Sequence, residues 1–127
     1  MIDELVTRIA TSVGLEQGLA TKAVGMMLAF LKKEGPEAEV NTLFNAVPGS
    51  AELAAEQTGG SGIMGSVMGM MPGGGVMALG TQLMGAGLGM GQIQQVSKQL
   101  FAFGKEKAGE DTMGAIVGGV PGLSQFV

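Results

Sequence analysis

The stretch Gln57–Ser97, QTGGSGIMGSVMGMMPGGGVMALGTQLMGAGLGMGQIQQVS, runs 41 residues without a charged side chain and holds 13 of the 24 glycines and seven of the 11 methionines. Read as a membrane span, a linker or part of a core, it makes three different proteins. Its own punctuation decides between them. Ile63 to Met71 would rise only about 14 Å as a helix, and Pro72-Gly73-Gly74-Gly75 interrupts it before roughly 30 Å of hydrocarbon is crossed. Gly65, Gly69 and Gly73 at four-residue intervals fit close-packed helices in lipid. Length argues against a span, so membrane association is the less favoured reading. From Val76 a helical period sets in, with Val76, Leu79, Leu83 and Met84 recurring at three- and four-residue spacing.

On the amino-terminal side, Asp3 is the expected N-cap of a first helix, whose apolar face is Ile2, Leu5, Val6, Ile9 and Val13 and which ends near Gly14. Glu16 to Glu34 makes a second helix, with Ala20, Ala23, Met27 and Phe30 as one stripe widened by Val24, Leu28 and Leu31; so broad a face packs on more than one neighbour. Lys32-Lys33-Glu34-Gly35-Pro36 supplies positive charge, a glycine stop and a proline for the start of a third helix, Pro36 to Ala46, with Glu37 and Glu39 at its positive end. That helix stops at Pro48-Gly49.

On the carboxy-terminal side, a helix opens near Gly91, presents Ile93, Val96, Leu100 and Phe103 on one face and closes at Lys105-Glu106-Lys107; a last short one carries Met113, Ile116, Val117 and Val120 before Pro121-Gly122. The order of elements repeats. A shift of 73 residues superposes residues 14–53 on 87–126 without a gap and with ten identities, among them Gly14-Leu15 on Gly87-Leu88, Ala29-Phe30 on Ala102-Phe103 and Val47-Pro48-Gly49 on Val120-Pro121-Gly122. The matches fall on turns, stripes and stops, where a shared backbone needs them.

Gly14-Leu15, Gln17 to Ala20, the helix to Lys32, then Leu43, Ala46-Val47-Pro48-Gly49 and Leu53 together resemble the Vcg-type proteins, small bacterial proteins of unknown function. The resemblance is clearest over residues 3–56. The second half is similar to a related family of bacterial helical domains, in which a Gly-Leu turn and a terminal Leu/Val-Pro step bracket two helices. Both resemblances imply a helical fold and bring no catalytic residue. Vcg-type proteins are often exported. This chain has Asp3 and Glu4 where a secretory signal carries Lys or Arg, and no continuous apolar run behind them, so the expectation is a cytoplasmic protein.

The composition narrows the chemistry. With no His, Cys, Trp or Tyr the chain lacks the usual imidazole base, thiol nucleophile and zinc ligands. Seven basic against 11 acidic residues give a net charge of -4, without the basic stripe that a phosphate backbone demands, which argues against nucleic acid as a partner. Ser12, Ser50, Ser61, Ser66, Ser97 and Ser124 have only lysine to activate them, and Ser97-Lys98, being adjacent, diverge on a helix. Glu34, Glu37 and Glu39, like Glu110 and Asp111, are close enough in sequence for paired acid and base work, but the expectation is that they serve helix starts, which prefer acids. Gly85 to Gly91 alternates glycines before a helix but lacks the preceding strand and the Gly-Lys-Ser/Thr ending of a phosphate loop. Met64, Met68, Met70, Met71, Met77, Met84 and Met90 could offer thioethers to Cu(I), yet methionine is more often a core filler or an adaptable contact.

These readings converge on an all-α protein of two tandem three-helix units, 1–56 and 76–127, related by a pseudo-twofold repeat of 73 residues and joined by a Gly/Met-rich linker, 57–75. The expected function is non-enzymatic, with no cofactor and no metal: an interaction or assembly protein that binds copies of itself or another protein through apolar Met, Leu and Ala faces. The partner-binding residues expected are Ile63, Met64, Val67, Met68, Met70 and Met71. The alternative is a membrane-associated protein, or one that holds an apolar small ligand between the units.

Overall fold

The computed structural model describes residues 2–59, 76–120 and 122–125. They form α1 (Ile2–Val13), α2 (Gln17–Glu34), α3 (Glu37–Ala46), α4 (Ser50–Gly59), α5 (Val76–Gly85), α6 (Met90–Ala108), α7 (Glu110–Gly119) and a closing 3-10 turn, Leu123–Gln125. No strand occurs among the described residues, and the all-α expectation holds.

α1 is amphipathic in the expected register, with Leu5, Val6 and Ile9 buried. Asp3 is not its cap. The helix already includes Ile2, whose N–H donates to the Pro48 carbonyl at 3.3 Å, so a turn 46 residues away serves the end of the helix that Asp3 was expected to serve. Asp3 and Glu4 lie in the first turn, where carboxylates favour the positive end of the dipole. α1 ends on Gly14, at φ +80, a conformation that an L side chain resists, and the Leu15 N–H returns to the Ala10 carbonyl at 3.0 Å. The second and third helices each begin one residue later than expected, because Glu16 and Pro36 are extended at their N-cap positions.

The two long helices, α2 and α6, cross at the centre, and the shorter ones pack around them. α1 lies against both α2 and α6, α5 against both as well, and α3 against α2, α6 and α7. Their buried faces merge into one apolar core that includes Leu5, Ile9, Val24, Leu28, Leu43, Leu83, Ile93, Leu100, Phe103 and Ile116. Where α2 meets α6, the buried Ser97 hydroxyl points at the Met27 sulfur, 3.8 Å away.

A step of 73 residues carries Glu37–Ala46 onto Glu110–Gly119, the bounds of α7, and Gln17 onto Met90, the first residue of α6. It also pairs Gly14 with Gly87 and Gly49 with Gly122, all four at positive φ, and the Leu15–Ala10 bond with one from the Leu88 N–H to the Leu83 carbonyl. The halves differ at α4, which the sequence reading missed: the first half has four helices, not three, and α4 runs to Gly59, past the expected start of the linker at Gln57. At the same offset the described residues Leu123–Gln125 form a 3-10 turn. Side chains follow this difference. α2, which α4 covers, has buried Gly25; 73 residues later α6 has exposed Lys98.

The α1–α6 seam carries the charged contacts between the halves. The Arg8 guanidinium lies 5.3 Å from the centroid of Phe103, donates to Glu106 Oε2 at 3.0 Å and approaches Glu4 at 3.9 Å; the Lys107 ammonium stands 5.5 Å from the same ring. These charges are about half exposed, so solvent screens them. Arg8→Met is expected to lower stability by about 1 kcal/mol, most of it from the cation–ring contact. A double-mutant cycle with Glu106→Gln should return a coupling under about 1 kcal/mol that fades with added salt. A coupling of several kcal/mol would show that the pair is effectively buried.

Candidate functional site

The expected partner-binding residues Ile63, Met64, Val67, Met68, Met70 and Met71, and with them Ser61 and Ser66, lie outside the described residues. Among those described, the surface that departs most from an ordinary soluble helix is the turn between α5 and α6. Leu83 and Leu88 anchor it from below, both buried, and Gly87 at φ +114 reverses the chain between them. A Cβ on Gly87 would sit 4.0 Å from Leu19 of α2, so the turn lies over that helix. With its two leucines turned in, the turn turns two methionines out: Met84 is 53% exposed and Met90 is 55% exposed. No charged residue occurs between Val76 and Ser97 to break up this apolar corner.

The corresponding turn at Gly14 is built differently. Leu15 takes the place of Leu88, but Thr11 and Gln17, both exposed, stand 73 residues before Met84 and Met90. The same backbone bend therefore presents polar side chains in the first half and thioethers in the second. Met84 departs from the period that groups it with Leu79 and Leu83, which are buried while it is exposed. In α5 only Thr81 and Gln82 are polar, and a period drawn from nearly uniform apolar residues does not select a face. Comparison with Thr11 is the signal that could have found it.

The other candidate chemistries are placed as follows. Ser50 is fully buried, its hydroxyl 2.6 Å from the Val47 carbonyl and 3.2 Å from that of Phe44, an arrangement that ties the start of α4 to the end of α3. Ser97 is buried and its neighbour Lys98 exposed, so the two diverge as the helix requires. Glu37 and Glu39 occupy the first turn of α3, and Glu110 and Asp111 that of α7, whereas Glu34 is the last residue of α2 and serves no helix start. At the start of α6 the Gly89 N–H donates to Oε1 of Gln92 at 2.9 Å, so a donor that a bound phosphate would need is already engaged. Among the described residues no group of acidic side chains is arranged to hold a metal ion.

Between α2, α5 and α6 a void of about 10 Å³ opens beside Met27, Leu31, Leu79, Ser97 and Phe101. That is room for about one water molecule and not for a lipid or other apolar ligand. Among the described residues no helix is long and apolar enough to cross a membrane.

The described residues thus define a close-packed helical protein whose most unusual surface is a methionine-flanked turn. Compared with known proteins, the chain matches no family model, no curated protein and no solved structure.

Proposed function

We propose that this chain is a non-enzymatic assembly protein that associates with copies of itself through apolar faces, with Met84 and Met90 at the contact. In this reading the two halves are units related by a pseudo-twofold axis near the crossing of α2 and α6, and the second unit has acquired the contact surface. The observation that carries it is the exposure of two large apolar side chains around one uncharged turn, set against Thr11 and Gln17 at the corresponding positions. Singly exposed apolar residues are ordinary; two flanking one turn, on a stretch without charge, form a patch that association would cover. Methionine suits such a surface, being unbranched, polarisable and able to repack against an imperfect partner. The full chain has five aromatic residues, all Phe, so such a contact would draw little on Trp or Tyr anchors.

The test is molar mass by light scattering across a range of concentrations. The wild-type chain is expected to exceed its monomer mass of 12.8 kDa and to gain mass with concentration. Met84→Gln/Met90→Gln should shift that curve to roughly tenfold higher concentration, as expected from the loss of about 1.4 kcal/mol of apolar contact. A wild-type chain that stays monomeric throughout sinks the self-association reading. If that monomer sediments with vesicles, the membrane-associated alternative takes its place.

A further inference from the structure

We infer that Met84 and Met90 form a peroxide-sensitive modification site, a pair of thioethers oxidised ahead of Met26, Met27 and Met113. Sulfoxide formation requires the oxidant to reach sulfur, so the order of reaction follows exposure. In the described part of the molecule the contrast is wide. Met27 is 3% exposed with its sulfur facing the Ser97 hydroxyl, and Met113 is fully buried with its sulfur packed against α6, 2.6 Å from where a Cβ on Gly104 would sit. Met26 is half-buried on α2. Met84 and Met90 are both more than half exposed, on either side of a single turn.

The chemistry is a two-electron oxygen transfer from hydrogen peroxide. The O–O bond breaks, one oxygen bonds to the methionine sulfur, the sulfur is oxidised to sulfoxide, and the other oxygen leaves as water. Each event replaces an apolar thioether by a polar acceptor and is reversed by methionine sulfoxide reductases. Because Met84 and Met90 share one turn, two such events turn the whole corner polar while the buried leucines beneath it keep the fold. Resting on the association reading above, this makes the turn a redox switch: the reduced chain associates and the oxidised chain separates.

The experiment treats the full chain with dilute hydrogen peroxide, at a concentration low enough that light scattering shows free chains, and follows each methionine by tandem mass spectrometry; a concentrated sample is followed by light scattering in parallel. Met84 and Met90 are expected to oxidise roughly tenfold or more faster than Met27 and Met113, which react only when the fold opens. Equal rates, or a fast reaction at one member of the pair alone, overturn the site. Peroxide should lower the mass of the wild-type assembly, and in Met84→Leu/Met90→Leu it should no longer change whatever mass that variant has beforehand. If the double variant still loses mass under peroxide, or the wild type keeps its mass with both sulfoxides formed, the switch is wrong. A wild-type chain already monomeric before treatment removes the association reading and with it the switch, and the rates alone then decide the modification site.

Discussion

Replacing Phe103 by alanine is expected to lower the free energy of unfolding by about 3–5 kcal/mol, a shift visible as an earlier urea midpoint at unchanged slope. The ring is fully buried near the end of α6 and is the largest side chain in the core with no exposure. Its loss removes the transfer free energy of the aromatic side chain and leaves a cavity that rigid helices on several sides fill only in part. It also takes away the surface over which Arg8 and Lys107 rest. Against a total stability of about 5–15 kcal/mol, this one change approaches the threshold for folding at all. Phe103→Leu keeps most of the volume and should recover more than half of the loss. An alanine variant within about 1 kcal/mol of wild type would show that the helices close over the gap.

Gly49→Ala is the second large effect, expected to cost about 2–4 kcal/mol. Two terms add. Gly49 has φ +91, where an L residue is strained, and its new Cβ would lie 2.7 Å from Cγ2 and 3.3 Å from Cβ of Ile2. Ile2 cannot simply retreat, because its N–H is held by the neighbouring Pro48 carbonyl. Gly14→Ala isolates the first term: its φ is +80 but nothing lies within 4 Å of the added Cβ, and about 1 kcal/mol is expected. Thermal or urea unfolding of both variants gives the difference. Combining Gly49→Ala with Ile2→Ala should recover part of the clash; if the two glycine variants lose equal stability, the contact with Ile2 is soft.

Much of this fold was legible because glycine and proline interrupt clear apolar stripes. The ends of α1, α3, α5 and α7 fall at Gly14, Val47-Pro48-Gly49, Gly87 and Val120-Pro121-Gly122, and Ile93, Val96, Leu100 and Phe103 are all buried as their spacing requires. α4 was not legible for the opposite reason. Ser50-Ala51-Glu52-Leu53-Ala54 has strong helix formers but only one large apolar residue, so it shows propensity without a stripe, and what holds it is close packing against α2. The cap of α1 was misread because a local rule, an acid near a helix start, gave way to a distant carbonyl at Pro48. Met84 was misread because a helix apolar nearly all round has no periodic preference to read, and the exposed turn became visible only once the leucines were seen to take the inner positions.

α1, α3, α5 and α7 each bury part of their apolar face against the other half of the chain. Neither half keeps a closed core without its counterpart. Half of the chain is therefore not the unit that folds: opening one half uncovers the apolar surface of the other, and the described helices should melt in a single cooperative transition. Positions 73 residues apart differ at the surface, as exposed Thr11 does from exposed Met84, while the packed interior ties the two halves together. Change is free on the outside of the two halves and coupled within them.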